Sequence, residues 1–263
     1  MGSNPSQPVS LLEKAKKNGT ILSVTDFERK LKLKGLCDKT IETYISCHNI
    51  FTRFIKNRNV TTDLIEDYLL KYNNRRNNLA VMKVLYPDLS KDIKFPRRNF
   101  RPKILPNKEQ LRIFYDSLPS QYKVIFLLLA SSGLRVGELL DAEIDFNNRM
   151  IVPRSHNGST KHSWISFFNI ECVPLLSNGI PEITVDGLSH LFLKTSKKCG
   201  IKIHPHLLRS VFAREMAMAG VQPQYVDAFC GRIPHSVLAR NYTDYSPEVL
   251  KEIYQKANIK ILS

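Results

Sequence analysis

Three closely spaced prolines divide this chain into two folding units. Pro96, Pro102 and Pro106 interrupt any continuous helix, because proline lacks the amide hydrogen and clashes with the preceding turn. The segment is also strongly basic, with seven Lys and Arg residues against one Glu between positions 94 and 112. We therefore predict two folded domains joined by a basic linker at residues 94–107.

The part before the linker predicts a polar arm followed by a small helical domain. Residues 1–20 are rich in turn-forming and charged residues, and we expect a flexible arm there. Residues 21–93 carry apolar side chains at helical spacing, as between Thr40 and Ile55, which predicts a small all-helical domain. Thr25-Asp26 and Asp38-Lys39-Thr40 supply the candidate N-caps.

The part after the linker, residues 108–263, predicts helices around a small sheet. The period changes to that of strands in Arg149–Val152 and His162–Phe168, which flank the turn signal Asn157-Gly158. The overall fold class is mainly α with a small antiparallel β-sheet. Helices are predicted at Lys108–Ser117, Tyr122–Ser131, Arg135–Asp141, Val185–Cys199, Pro205–Ala219, Gln222–Cys230, His235–Tyr242 and Pro247–Ala257.

Charge indicates a polyanionic partner. The chain has 39 Lys and Arg residues against 24 Asp and Glu, a formal charge of +15 in 263 residues, which favours nucleic acid. We predict that Arg97, Arg98, Arg101 and Lys103 of the linker follow a DNA backbone; a solvated spacer is the alternative. Five scattered cysteines indicate free thiols in a reducing cytoplasm, with the protein on the nucleoid when active. No apolar run approaches the roughly 18 residues of a membrane span.

Short motifs in the second domain place cations where an anion could bind. Gly133 predicts that Arg135 starts a short helix, whose free N–H groups favour an anion, and Glu138 lies one turn on. His206 and Arg209 share a helix face at i and i+3 spacing. Each motif alone is also compatible with a surface pair or with core packing.

The ordered set of motifs is more specific than any one of them. Gly-Leu-Arg135-x-x-Glu138, Lys161 on a predicted hairpin, His206-x-x-Arg209, Gly231-Arg232 and Tyr242 occur in an order that resembles the tyrosine recombinase (phage integrase) family. Residues 33–44 resemble that family's N-terminal core-binding helices, which implies that residues 21–93 are a helical core-binding domain and residues 108–263 a mixed α/β catalytic domain. The resemblance spans roughly residues 21–258 and implies a two-domain clamp on double-stranded DNA.

The resemblance also implies a chemistry. Tyr242 would cleave one strand to form a 3′-phosphotyrosyl link, with Arg135 and Arg209 binding the phosphate oxygens and Glu138 orienting Arg135. Lys161 would protonate the leaving oxygen, and His206 would hold a proton near the tyrosine. A phenol normally ionises near pH 10, so the nucleophile needs positive surroundings. Neither a metal nor another cofactor is expected, and four protomers would complete the exchange on DNA.

One departure from the family pattern leaves a role open. Most relatives carry His or Trp directly after the glycine, where this chain has Arg232, and His235 competes for that role. Gly-Arg at this spacing is similar to the integrases of archaeal spindle-shaped viruses and related plasmids.

Several alternatives remain at this stage. A type IB topoisomerase has nearly the same catalytic set, and residues 215–242 also fit a helix-turn-helix regulator without catalysis. Tyr245 is a second candidate nucleophile. The amphipathic Pro247–Tyr254 stretch is expected either to contact a neighbouring protomer or to pack on its own domain. Residues 1–8 are native, a cloning remnant, or encoded by an attachment site, since Gly2-Ser3-Asn4-Pro5 can be written with tRNA T-arm codons.

Overall fold

A computed structural model shows the protein as two compact units, one ending at Arg101 and the next beginning at Pro102. The structure describes residues 22–56, 58–97, 102–154, 164–177, 179–232, 236–237 and 241–263. The N-terminal arm, Arg98, Arg101, Lys161, the Asn157-Gly158 turn and His235 lie outside the described residues. No described helix is long and apolar enough to span a membrane.

The first unit is a bundle of helices around one apolar core. Its helices are α1 (Val24–Leu33), α2 (Asp38–Ile55), α3 (Thr62–Lys71), α4 (Arg75–Leu85) and α5 (Pro87–Ser90). Helical spacing in the sequence brings their apolar faces together, and Phe27, Phe51 and Tyr68 are fully buried there. The Lys30 ammonium joins α1 to α4 by donating to the Val84 carbonyl at 2.7 Å.

Neither the N-cap of α1 nor that of α2 is one of the predicted candidates. Ser23, not Asp26, caps α1, and its hydroxyl accepts from the Asp26 amide at 3.1 Å. Cys37 occupies the N-cap of α2, one residue before the predicted Asp38. The aspartates instead lie in the first turns, where a negative charge is favourable next to the helix dipole.

The second unit is mainly helical with a small sheet, so the predicted fold class is confirmed. Its helices are α6 (Lys108–Ser117), α7 (Lys123–Ser132), α8 (Val136–Leu140), α9 (Val173–Leu176), α10 (Val185–Cys199), α11 (Pro205–Met218), α12 (Pro223–Phe229) and α13 (Pro247–Ala257), with 3₁₀ turns at Ser120–Tyr122 and Ile170–Cys172. The strands are β1 (Ala142–Asp145), β2 (Met150–Pro153) and β3 (Ser166–Phe167). They pair antiparallel in the order β1-β2-β3.

The sheet contains one strand that the sequence pattern did not predict. Ile144 pairs with Ile151, and Ile151 pairs with Ser166, so β2 lies between the other two strands. The sequence predicted the pairing of β2 with the later strand. It missed β1 because that strand is short and partly exposed, without a run of branched residues.

Helix α7 forms the centre of the second unit. All of its residues from Val124 to Ser132 are buried, because neighbouring elements surround it on every side. It ends at Gly133, whose φ of +69° lies in the left-handed region that glycine adopts without strain. A Cβ at Gly133 would come within 2.3 Å of the Phe212 ring on α11. The glycine therefore sets both the end of α7 and its close approach to α11.

Replacing Gly133 by Ala should destabilise the protein through both effects. Backbone strain and the overlap with Phe212 predict a loss of about 2–5 kcal/mol in the free energy of unfolding. Gly200→Ala is the matched control, because Gly200 has a φ of +75° but nothing within 4 Å of an added Cβ. It should lose only about 1–2 kcal/mol. Equal losses in urea unfolding would show that the Phe212 contact is unimportant.

Candidate active site

The turn between α7 and α8 positions the first arginine of the site. The chain reverses at Gly133, and Arg135 becomes the N-cap residue of α8. Its backbone amide donates to the Glu138 carboxylate at 2.8 Å. The expectation that this helix start offers free N–H groups to an external anion is therefore wrong for the Arg135 amide.

Glu138 links two arginines that are far apart in the sequence. One carboxylate oxygen contacts the Arg135 guanidinium, and the other lies 3.9 Å from Nη1 of Arg209 on α11. The Glu138 side chain is 16% exposed, so water screens these contacts only partly. One carboxylate thus holds two positive groups beside each other.

Arg209 is the most deeply buried cation of this cluster, at 3% exposure. Its Nη1 donates to the Gly133 carbonyl at 2.8 Å, and its Nη2 donates to the Cys230 carbonyl. Desolvation lowers the pKa of the Arg209 guanidinium, but arginine stays protonated in proteins. A guanidinium has five N–H donors, more than these contacts use.

His206 lies one turn before Arg209 on the same helix. Partial desolvation, together with the positive charges of Arg209, Lys103, His204 and Arg135, lowers the pKa of the His206 imidazole below 6.5. The ring is therefore mainly neutral at pH 7 and able to accept a proton. Lys103 of the linker is thus one of the charges that act on His206.

Arg232 follows α12 and is held by a partner that the sequence analysis missed. Its Nη1 donates to the Asp227 carboxylate at 3.1 Å, and its backbone amide donates to the Asp227 carbonyl at 2.8 Å. Its charge acts on Arg209 and lowers the pKa of that guanidinium further. Asp227 lies five residues before Arg232, and a cation shortly after a helix that carries an acid was the available signal.

Cys230 is a second residue of the site that the sequence analysis missed. Its carbonyl holds Arg209, and its own thiol is fully buried. Burial raises the pKa of the Cys230 thiol. The thiol therefore stays protonated and the residue contributes through its backbone.

The predicted nucleophile Tyr242 is 78% exposed. The structure gives its hydroxyl no hydrogen bond to Arg135, Arg209 or any other described residue. The fold of the second unit brings five of the predicted site residues together: Arg135, Glu138, His206, Arg209 and Arg232. Tyr242 is not hydrogen-bonded to any of them. The other nucleophile candidate, Tyr245, packs its ring edge-on against the Tyr225 ring, with 5.9 Å between the ring centroids.

The linker residues are placed only in part. Arg97 and Lys103 are exposed, as DNA-contacting cations would be. At the end of the linker, Nη1 of Arg214 on α11 donates to the Pro106 carbonyl at 2.7 Å. The last linker residues are therefore fixed to the helix that carries His206 and Arg209.

The C-terminal helix α13 packs into its own unit. Leu250 and Tyr254 are buried, and the Tyr254 hydroxyl donates to the Ser131 carbonyl at 2.7 Å. The apolar side of this helix is thus occupied within the chain, which is the second of the two arrangements considered for it.

The cluster is suited to bind a phosphate and stabilise added negative charge on it. Guanidinium groups in general form charge-assisted hydrogen bonds to phosphate oxygens, and here two of them are held in place by protein contacts. The neutral imidazole of His206 provides a proton acceptor beside them. Among the described residues, no group of three or more His, Cys, Asp or Glu is arranged to hold a metal ion.

Comparisons with known proteins find similar sequences and similar folds. The chain is 26% identical over 274 residues to the tyrosine recombinase XerA of Thermococcus onnurineus, covering 90% of this chain and 95% of the relative. The fold resembles a lambda integrase dimer bound to a COC′ core site, with a TM-score of 0.65 and 14% identity over 85% of this chain and 97% of that one. It also resembles the Tn1549 transposon integrase in complex with a circular intermediate DNA (TM-score 0.62, 14% identity, 89% and 99% covered). No family model matches the sequence.

The likeness to the solved structures establishes the fold, and the likeness to the recombinases extends along nearly the whole chain. The relatives that match along nearly the whole chain are tyrosine recombinases.

Removing the charge of Glu138 should weaken the fold measurably. Glu138→Gln keeps the shape but replaces charged contacts to Arg135 and Arg209 by neutral ones, which predicts a loss of about 1–3 kcal/mol in unfolding free energy. Glu143→Gln is the control, because Glu143 pairs with Arg154 on an exposed edge. It should change stability by no more than about 0.5 kcal/mol. Equal effects of the two substitutions in urea unfolding would contradict this account.

The ionisation of His206 should respond to the linker lysine. NMR titration should give the imidazole a pKa below 6.5, and Lys103→Gln should raise it, because removing a nearby positive charge favours the protonated ring. Lys202→Gln is the control, since Lys202 is also exposed but is not among the charges that shift His206. An unchanged pKa in Lys103→Gln would place Lys103 away from the site.

Proposed function

We propose that this recombinase cleaves one strand of duplex DNA at a specific site with Tyr242 and keeps the 3′ end as a phosphotyrosyl ester. The observation that carries the proposal is the pair of guanidinium groups, Arg135 and Arg209, joined by Glu138. Such a pair suits a phosphodiester whose non-bridging oxygens gain charge during displacement. Tyr242 is assigned as the nucleophile from its place in the ordered set of sequence motifs.

The reaction exchanges one ester for another. The Tyr242 oxygen attacks phosphorus, the bond from phosphorus to the 5′ oxygen breaks, and that oxygen takes a proton to become a 5′-hydroxyl. We assign this proton to Lys161. A 5′-hydroxyl of the partner strand then attacks the phosphotyrosyl ester and releases Tyr242. The reaction needs no external energy source, because each step replaces one phosphodiester by another.

His206 is assigned to the proton of the tyrosine. The lowered pKa of its imidazole keeps the ring neutral near pH 7, so it accepts a proton as Tyr242 attacks. Arg232 is assigned to the phosphate together with the other two arginines, and its pairing with Asp227 supports a fixed orientation. His235 stays the alternative for the position that His or Trp holds in most relatives.

The DNA partner is inferred from charge and from the relatives. The printed descriptions of the lambda and Tn1549 integrase structures name a core site and a circular intermediate DNA. We propose duplex DNA as the substrate here, with Arg97, Arg98, Arg101 and Lys103 along the backbone. The formal charge of +15 supports this partner.

Four copies are proposed to assemble on two DNA sites. A contact through the C-terminal tail would use its exposed side, because Leu250 and Tyr254 on its apolar side are buried within the chain.

The Gly231-Arg232 pattern supports a place near the integrases of archaeal spindle-shaped viruses and plasmids, acting in the host cytoplasm on the nucleoid.

Tyr242→Phe should abolish covalent capture of DNA. Cleavage of a nicked suicide substrate releases the short fragment that carries the new 5′-hydroxyl, so the strand cannot be rejoined. The wild-type protein should therefore accumulate as a DNA adduct that survives denaturing electrophoresis. The phenyl ring keeps the packing but has no oxygen to attack phosphorus, and no adduct should form.

Tyr245→Phe is the matched control, three residues further on. It should keep adduct formation within about twofold of wild type, because it retains the proposed nucleophile Tyr242 and the aromatic ring that contacts Tyr225. An adduct with Tyr242→Phe, or its loss only with Tyr245→Phe, would exclude Tyr242 as the nucleophile.

A further inference from the structure

Trp164 is the single tryptophan of the chain and makes an unusual contact for an exposed residue. Its side chain is 58% exposed, yet its indole N–H donates to the carbonyl of Tyr245 at 3.2 Å. The two residues are 81 positions apart. This hydrogen bond therefore joins the strand region directly to the segment that follows Tyr242.

The base of Trp164 is firmly held. The next residues, Ile165, Ser166 and Phe167, are all buried, and the Ser166 hydroxyl donates to the Ser132 carbonyl at 2.6 Å. Ser166 also pairs with Ile151 in the sheet. Because these contacts fix the backbone, Trp164 extends from a fixed point on the second unit.

The other end of the hydrogen bond is held from a second side. The Tyr245 ring packs edge-on against Tyr225 of α12, and α13 begins two residues later at Pro247. Tyr245 lies three positions after Tyr242, and an extended chain of three residues spans at most about 11 Å. The Tyr245 backbone therefore limits how far Tyr242 can move from the site.

We propose that Trp164 is a positioning residue for the nucleophile. By holding the Tyr245 carbonyl, it keeps the segment of Tyr242 at a fixed distance from the strand and the arginine cluster. Tyr242 is 78% exposed, so packing of its own side chain restrains it little and the backbone restraint matters more. This proposal rests on the proposed role of Tyr242 and adds a residue that acts through it without contacting the DNA phosphate.

Trp164→Phe tests the hydrogen bond, because phenylalanine keeps an aromatic ring but has no N–H. Its single-turnover cleavage rate on a suicide substrate should fall about 3- to 10-fold, which corresponds to the loss of one neutral hydrogen bond. Circular dichroism should show an unchanged fold. A wild-type rate in a folded Trp164→Phe protein would overturn the proposal.

A second substrate separates the nucleophile from the proton donor. When sulfur replaces the bridging 5′ oxygen, the leaving thiolate needs no proton, so cleavage no longer depends on the proposed acid Lys161. Lys161→Ala is the comparison and should recover on this substrate. The cleavage rate of Trp164→Phe should be lower than that of wild type by the same factor on both substrates. Recovery of Trp164→Phe on the sulfur substrate would show action through the proton donor and would overturn the proposal.

A measurement without DNA keeps this inference separate from the proposed function. Backbone amides of residues 242–246 should exchange hydrogen for deuterium faster in Trp164→Phe than in wild type, because an anchor of the segment is gone. Unchanged exchange would overturn the proposal even if cleavage is normal. A wild-type protein that forms no adduct would instead refute the proposed function, while the exchange result still decides whether Trp164 holds the segment.

Discussion

The guanidinium of Arg209 contacts three separate parts of the second unit. It binds the carbonyl of Gly133 at the end of α7, the carbonyl of Cys230 at the end of α12, and the carboxylate of Glu138 on α8. Burying a charge is costly unless hydrogen bonds and an opposite charge compensate it. The arginine therefore links these three segments, and their carbonyls and carboxylate compensate its buried charge.

This constraint explains several features that otherwise look unrelated. Gly133 lacks a side chain, so α7 and Phe212 of α11 approach closely and the Gly133 carbonyl reaches Arg209. Glu138 compensates the charge and also holds Arg135, which brings a second cation beside the first. A positive site built in this way is organised before an anion binds, and such preorganisation gives electrostatic catalysis its strength.

Much of the fold follows from local sequence signals, and the site only in part. The helices Lys108–Ser117, Val185–Cys199 and Pro247–Ala257 match their predicted bounds, because helical spacing and terminal signals agree there. The strand Ala142–Asp145 was missed, since four partly exposed residues carry little periodicity. Asp227 and the carbonyl of Cys230 were also missed. Their importance depends on contacts with Arg232 and Arg209 across the fold, which spacing along the sequence does not show.

The central claim is that the arginine cluster presents a phosphodiester to Tyr242. The most direct test is to digest the covalent complex with trypsin and nuclease and to locate the remaining nucleotide by mass spectrometry. The account predicts a 3′-linked nucleotide on Tyr242 and a free 5′-hydroxyl on the released strand. A nucleotide on Tyr245 or another residue, or linkage through a 5′ phosphate, would contradict it.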